Sequence, residues 1–125
     1  MDIEQVRQFY LTLPYVSESF PFDESTLVFK VGSKMFGYIS LDHPEPYICL
    51  KCDPERAIDL REHYTAVEEA YHMNKTHWNG VFLDRDLSSD QVLDLVRHSY
   101  ELVYGKLTRK ERLLLEGNAQ KSNTK

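Results

Sequence analysis

Apolar residues recur at helical spacing in separate stretches of the chain, and β-rich runs fill the space between them. Ile3, Val6, Phe9, Tyr10 and Leu13 share one helical face. Asp2 offers an N-cap acceptor with Gln5 three residues on, and Pro14 stops the pattern. That predicts a first helix over about 3–12. Asp53-Pro54-Glu55 reads as an N-cap followed by Pro at the first helical position, and Ala57, Leu60, Arg61 and Tyr64 continue one face to about residue 63. Val92, Leu95, Val96, Ser99, Leu102 and Val103 form the strongest stripe. Ser88 and Gln91 make a second capping box, Leu87 and Val92 a hydrophobic staple, and Gly105 is the expected stop. Thr108 and Glu111 suggest a third box, opening a short helix through Leu115. Residues 117–125 are polar and read as a flexible C-terminal tail.

The intervening runs are extended. Leu27–Val31, Met35–Leu41 and Tyr47–Cys52 are strand candidates, joined by a Gly32-Ser33-Lys34 turn and an Asp42–Pro46 loop. Thr65–Met73 and His77–Leu83 extend the set after the second helix. Consecutive strands with short loops make an antiparallel meander, because a parallel pair needs a long crossover. The expected fold is α+β: a single antiparallel β-sheet with helices packed mainly on one face, in one domain over residues 1–116.

Composition narrows the class. The chain has 125 residues, 42% of them hydrophobic and 12% aromatic, which suits one ordinary domain and excludes a disordered one. No apolar run is long enough to span a membrane. The N-terminus, Met1-Asp2-Ile3-Glu4, is acidic where a secretory signal is basic, so a cytoplasmic protein is expected. Fifteen Lys+Arg against twenty Asp+Glu leave a net charge of −5, which opposes indiscriminate binding to nucleic acid. The charge is uneven. Residues 106–125 carry +4 and the preceding 105 carry −9. The strand candidates hold Lys30, Lys34 and Lys51, whereas acids gather on the second helix and over Asp84–Asp94.

The densest polar–aromatic cluster is Tyr71-His72-Met73-Asn74-Lys75-Thr76-His77-Trp78-Asn79. Aromatic and imidazole rings offer stacking faces, while Lys and Asn offer phosphate and base-edge contacts. The same residues also suit a hairpin with Trp78 in the core and His and Asn bonded to backbone. A metal site lacks a third ligand near His72 and His77, and no nucleophile motif accompanies them. Lys30, Gly32 and Lys34 could present ammonium groups and free backbone N–H to a phosphate, or be a solvated hairpin tip. Cys49 and Cys52 lack a second ligand pair for zinc and precede the helix start, so they read as reduced packed thiols. No cofactor is implied.

Several segments, in order, resemble one family: Phe20-Pro21-Phe22, Leu27–Val31, Lys34-Met35-Phe36, Leu50–Glu55, Tyr71–Lys75, His77-Trp78-Asn79 and Ser99–Val103. They are similar to the MmcQ/YjbR family of small bacterial proteins, over about residues 2–112. The resemblance implies a CyaY-like (frataxin-like) α+β fold and DNA binding, with no enzymatic activity. The chain departs from the family pattern before Tyr71, where Glu68-Glu69-Ala70 replace a Pro-containing turn and add acids beside the cluster. The expected function is therefore that of a non-enzymatic DNA-binding monomer using a basic, aromatic sheet face. Lys30, Lys34, Lys51, His72, Asn74, Lys75, His77 and Trp78 would carry the contact, which would be weak and salt-sensitive. The alternative is a module for a small anionic ligand or a protein partner, with a polar pocket around residues 71–78.

Overall fold

The structure is a computed structural model that describes residues 1–123, with side chains described through Gly117. Along it run α1 (Ile3–Thr12), β1 (Val16–Ser19), β2 (Thr26–Val31), β3 (Lys34–Ser40), β4 (Tyr47–Lys51), α2 (Pro54–His63), β5 (Val67–Glu69), β6 (Trp78–Phe82), α3 (Ser89–Lys106) and α4 (Arg109–Asn123). The strands form one sheet in the order β1-β2-β3-β4-β6-β5, and all neighbouring pairs are antiparallel. This is the expected α+β class. Asp2 with Gln5 and Ser88 with Gln91 form reciprocal capping boxes, and Asp53 accepts the Arg56 N–H at the start of α2. Leu87 and Val92 are both buried across the α3 cap, as a hydrophobic staple requires.

Alternation along the strands divides the sheet into two faces. Leu27, Ile39, Ile48, Val81 and Val67 stand in register across it, and all join one core with Val6 and Tyr10 of α1 and Val92, Leu95, Val96 and Val103 of α3. A bulge in the β2–β3 pairing turns Phe36 into the same core. There Tyr10 stacks on Phe29 at 4.0 Å and tilts against Phe36 at 5.5 Å. The opposite, outer face carries a smaller cluster of Cys49, Ala70 and Trp78, with Met35, Tyr38 and Met73 packed on it. The β5–β6 connection thus folds back over part of the sheet. Cys49 and Cys52 are free and buried. Burial pushes their thiols up to about 12 and about 11 respectively, as unreactive thiols require.

One strand is unanticipated, and three local expectations need correction. Strand β1 lacks a period-2 apolar pattern, yet it pairs with β2 from Val16↔Val31 to Ser19↔Val28. The extended run expected over Thr65–Met73 is a strand only at Val67–Glu69. Gly105 lies inside α3, which ends at Lys106, where the Leu107 N–H turns back to the Tyr104 carbonyl and Leu107 is buried. The helix at Arg109 does not stop at Leu115 but runs across Gly117 to Asn123, into the segment expected as tail; residues 124 and 125 lie outside the described residues.

Candidate nucleic-acid interface

The ends of β3, β4 and α3 meet at one corner of the sheet. Lys34 opens β3, Lys51 closes β4 and Lys106 closes α3. Burial lowers the Lys51 pKa below the ordinary lysine value, and the Lys106 and Lys34 ammonium groups lower it further. Three positive charges therefore act on one another here. Ser99 fixes the geometry. Its buried hydroxyl accepts the Lys51 N–H at 2.9 Å and donates to the Phe36 carbonyl, so α3 grips β3 and β4 together. The Lys51 ammonium lies 6.0 Å from the Trp78 ring centroid. Lys30 stands on the same face, opposite Met35 in the β2–β3 register. No ion pair among the described residues engages Lys30, Lys34, Lys51 or Lys106.

The connection from Ala70 to His77 is pinned from several sides. The Asn74 carbonyl accepts the His77 and Trp78 N–H groups at 3.3 and 3.0 Å, and its side-chain Oδ1 accepts the Thr76 N–H at 2.8 Å. Arg61 of α2 donates to the Lys75 carbonyl at 3.1 Å and to Asn79 Oδ1 at 2.8 Å. The Cys52 N–H donates to the His77 carbonyl at 2.8 Å. Asn74 and His77 thus act largely through backbone bonds that shape the hairpin. His72 is exposed beside Tyr71, 4.4 Å between ring centroids. Lys75 is spent partly on Glu69, at 3.3 Å. Trp78 is only 9% exposed, beneath Met73 and beside Cys49, so its face is not free for stacking on a base. Of the eight residues read from sequence, Lys34, Lys51 and Trp78 share the corner, and Lys30 shares the outer face with Lys51 and Trp78, whereas Lys34 stands opposite core-facing Val31. His72, Asn74 and Lys75 occupy the exposed connection, and His77 is half-buried at its end. Lys106 is the residue sequence reasoning missed as a site member; the length of the α3 stripe was the signal that carries it to this corner.

Of the two readings of the Lys30, Gly32 and Lys34 group, the structure does not support the one with free backbone N–H for a phosphate. Gly32 has a φ of +58°, the left-handed region where glycine costs least. Its N–H reaches the Tyr15 carbonyl at 3.4 Å, and the Ser33 N–H donates to Glu111 Oε1 at 2.7 Å. Both backbone donors are thus taken from within the chain. A cavity of about 10 Å³ lies under the sheet among Leu50, Leu60, Val81 and Leu95. A shallow groove of about 380 Å³ lies between α2 and α3. Neither is lined by any of residues 71–78. Among the described residues no helix is long and apolar enough to cross a membrane.

The whole sheet, α2 and most of α3 lie within residues 11–102, and over those residues the chain matches the YjbR family model. The chain belongs to the YjbR family. It is 33% identical over 109 residues to the YbdF protein of Escherichia coli O157:H7, covering 87% of this chain and 89% of that one. It is 31% identical over 115 residues to YjbR of Escherichia coli K12, covering 92% and 98%. The crystal structure of Deinococcus radiodurans protein DR2400, a DUF419 domain, superposes with a TM-score of 0.86 at 36% identity, over 92% of this chain and 88% of that one. A Pseudomonas syringae protein superposes with a TM-score of 0.72 at 24% identity, over 82% and 98%, and shares the fold. The YjbR fold is thus the one that brings the strand-end lysines of this chain to the C-terminal end of α3.

Proposed function

We propose that this YjbR-family chain is a non-enzymatic, cytoplasmic DNA-binding protein that holds the phosphate backbone on the corner built by Lys34, Lys51 and Lys106, with Lys30 beside it. The observation that carries this reading is the convergence of these ammonium groups at the start of β3, the end of β4 and the end of α3, which adds to burial in lowering the Lys51 pKa. A polyanion laid across the corner would offset that repulsion and release counterions. With Trp78 buried, contact would run to phosphate and sugar, so sequence preference would be slight. The acidic remainder of the chain makes binding weak and one-sided.

Mobility-shift titration of duplex DNA at two salt concentrations tests the reading. The logarithmic salt slope should fall by about 0.9 for each phosphate contact removed in Lys34→Ala, Lys51→Ala and Lys106→Ala. Lys75→Ala should change binding little, because Glu69 already pairs with Lys75. No complex at low salt would overturn the proposal. The net charge of −5 favours a second reading, a small anionic ligand at the same lysines or at Lys75. A thermal-shift screen against nucleotides and anionic metabolites separates the two, since a specific stabiliser without DNA binding would support the ligand.

A further inference from the structure

Two features of the surface are complementary and lie at opposite ends of α3. The first is the groove between α2 and the start of α3. Its floor is apolar, with Leu60, Leu87 and Leu95, and its α3 rim carries Asp90 and Asp94. Asp94 is held by Arg56 at 2.8 Å, whereas Asp90 is exposed and enters no ion pair among the described residues.

The second feature is the outer face of α4. Glu111 and Leu115 turn inward onto the Gly32-Ser33 hairpin tip. Helical spacing therefore sends Leu113 and Leu114 outward, and they are 56% and 58% exposed. Arg109 and Lys110 sit one turn earlier on that face and are exposed too. The result is a basic, apolar helix face exposed among the described residues, against an apolar-floored groove whose rim holds Asp90 unpaired and Asp94 paired with Arg56.

Alpha-helix α3 separates them. It has 18 residues, a length of about 27 Å at 1.5 Å per residue. The groove lies at its N-terminal end and α4 begins just past its C-terminal end. That placement suits a two-fold axis. Two copies with their α3 helices antiparallel bring each α4 onto the other copy's groove, so both contacts form together and the assembly closes. An axis on the exposed side of α3, level with Ser99, would also set Arg97 of each copy across from Glu101 of the other, and both side chains are exposed.

We propose that the protein forms a two-fold dimer in solution, in which the Arg109–Lys110–Leu113–Leu114 face of each α4 occupies the partner's α2–α3 groove. This departs from the monomer expected from sequence, and it does not rest on DNA binding. The occupant is a second copy because the charge complement is present in the chain itself: exposed Arg109 and Lys110 on α4, and exposed Asp90 on the groove rim with no ion pair among the described residues. Charge complementarity also makes the pairing sensitive to salt.

Sedimentation velocity from micromolar to millimolar chain, at low and high salt, tests the proposal. The wild type should show a monomer–dimer equilibrium that weakens with salt. Asp90→Lys alone and Lys110→Glu alone each place like charges at both contacts and should weaken the dimer about tenfold or more. An equimolar mixture of the two variants restores an opposite-charge pair at both contacts, so the heterodimer should recover wild-type strength. Leu113→Ser with Leu114→Ser, at exposed positions that leave the core intact, should also weaken pairing. A wild type that stays monomeric at millimolar concentration overturns the proposal. So does a dimer indifferent to both charge reversals, or a mixture that does not recover.

Discussion

Glu111 Oε1 accepts the Ser33 backbone N–H at 2.7 Å, across 78 residues of sequence. A complete capping box would send that carboxylate back to the Thr108 N–H. Only the other half forms, with the Glu111 N–H donating to Thr108 Oγ1 at 3.1 Å. The hydrogen bond from Ser33, with Lys34 nearby, lowers the Glu111 pKa below its ordinary 4.5. A carboxyl whose folded pKa is depressed stabilises the fold fully above its unfolded value, and the effect is lost as pH falls through the folded value. The Ser33 amide resonance should therefore titrate with a midpoint below 4.5. Glu111→Gln should abolish that step and speed exchange of the Ser33 amide. A midpoint at or above the ordinary value would show that the contact contributes nothing.

Histidine 98 sets a second pH dependence. The Asp53 N–H donates to His98 Nε2 at 3.1 Å, which requires that nitrogen to be unprotonated. Burial lowers the His98 pKa, and the Arg56 charge adds to the effect, against weaker opposition from Asp53, Asp94 and Glu101. The unfolded chain therefore binds a proton first as pH falls. Stability should be full above about 6.5, the ordinary histidine value, and decline below it until the folded pKa is passed. Urea denaturation at successive pH values should show this slope, and His98→Gln should flatten it. An unchanged slope in the variant would assign the pH dependence elsewhere.

Gly80 is required for steric reasons. An added Cβ there would lie 2.0 Å from the Tyr47 hydroxyl oxygen and 2.5 Å from the adjoining ring carbon. The ring is hemmed in, stacked by His43 at 4.9 Å and met edge-on by Phe82 at 5.1 Å. Gly80→Ala should cost about 1–3 kcal/mol, the usual range for overpacking. In a Tyr47→Ala background, where the space is vacant, the same change should cost far less. Chemical denaturation of the four species of this cycle checks it, and simple additivity would rule out the clash.

The parts of the fold legible in sequence are those set by local chemistry. The Val92–Val103 stripe, the caps at Asp2, Asp53 and Ser88, and the β2–β3–β4 meander each depend on residues close in the chain. Strand β1 does not. Its Ser17, Glu18 and Ser19 carry no apolar alternation, and it exists because β2 offers it a free edge and Arg7 of α1 holds Glu18 at 2.6 Å. The candidate site divides in the same way. Lys34 and Lys51 were visible as basic residues beside strands, but Lys106 joins them only through the length and packing of α3. Trp78 has mostly polar neighbours in sequence. Its neighbours in space are Cys49, Ala70 and Met73, and those follow from the hairpin folding back on the sheet.

Lys51 shows how binding and stability part at this corner. Its folded pKa lies below the ordinary lysine value, first through burial and then through Lys106 and Lys34. The charged form is thus disfavoured in the fold relative to the unfolded chain. That penalty is present at neutral pH and fades as pH rises through the folded pKa toward the ordinary 10.5. Lys51→Gln removes the charge and the repulsion it suffers, so the thermal midpoint at neutral pH should stay level or rise. DNA binding in the same variant should weaken, with a shallower salt slope. Added salt should narrow the stability gap between variant and wild type, because screening relieves the same repulsion. A lysine kept only for packing would behave in the opposite way. Its loss would lower the midpoint and leave the DNA titration unmoved, so paired melting and mobility-shift measurements on this one substitution decide between the two roles.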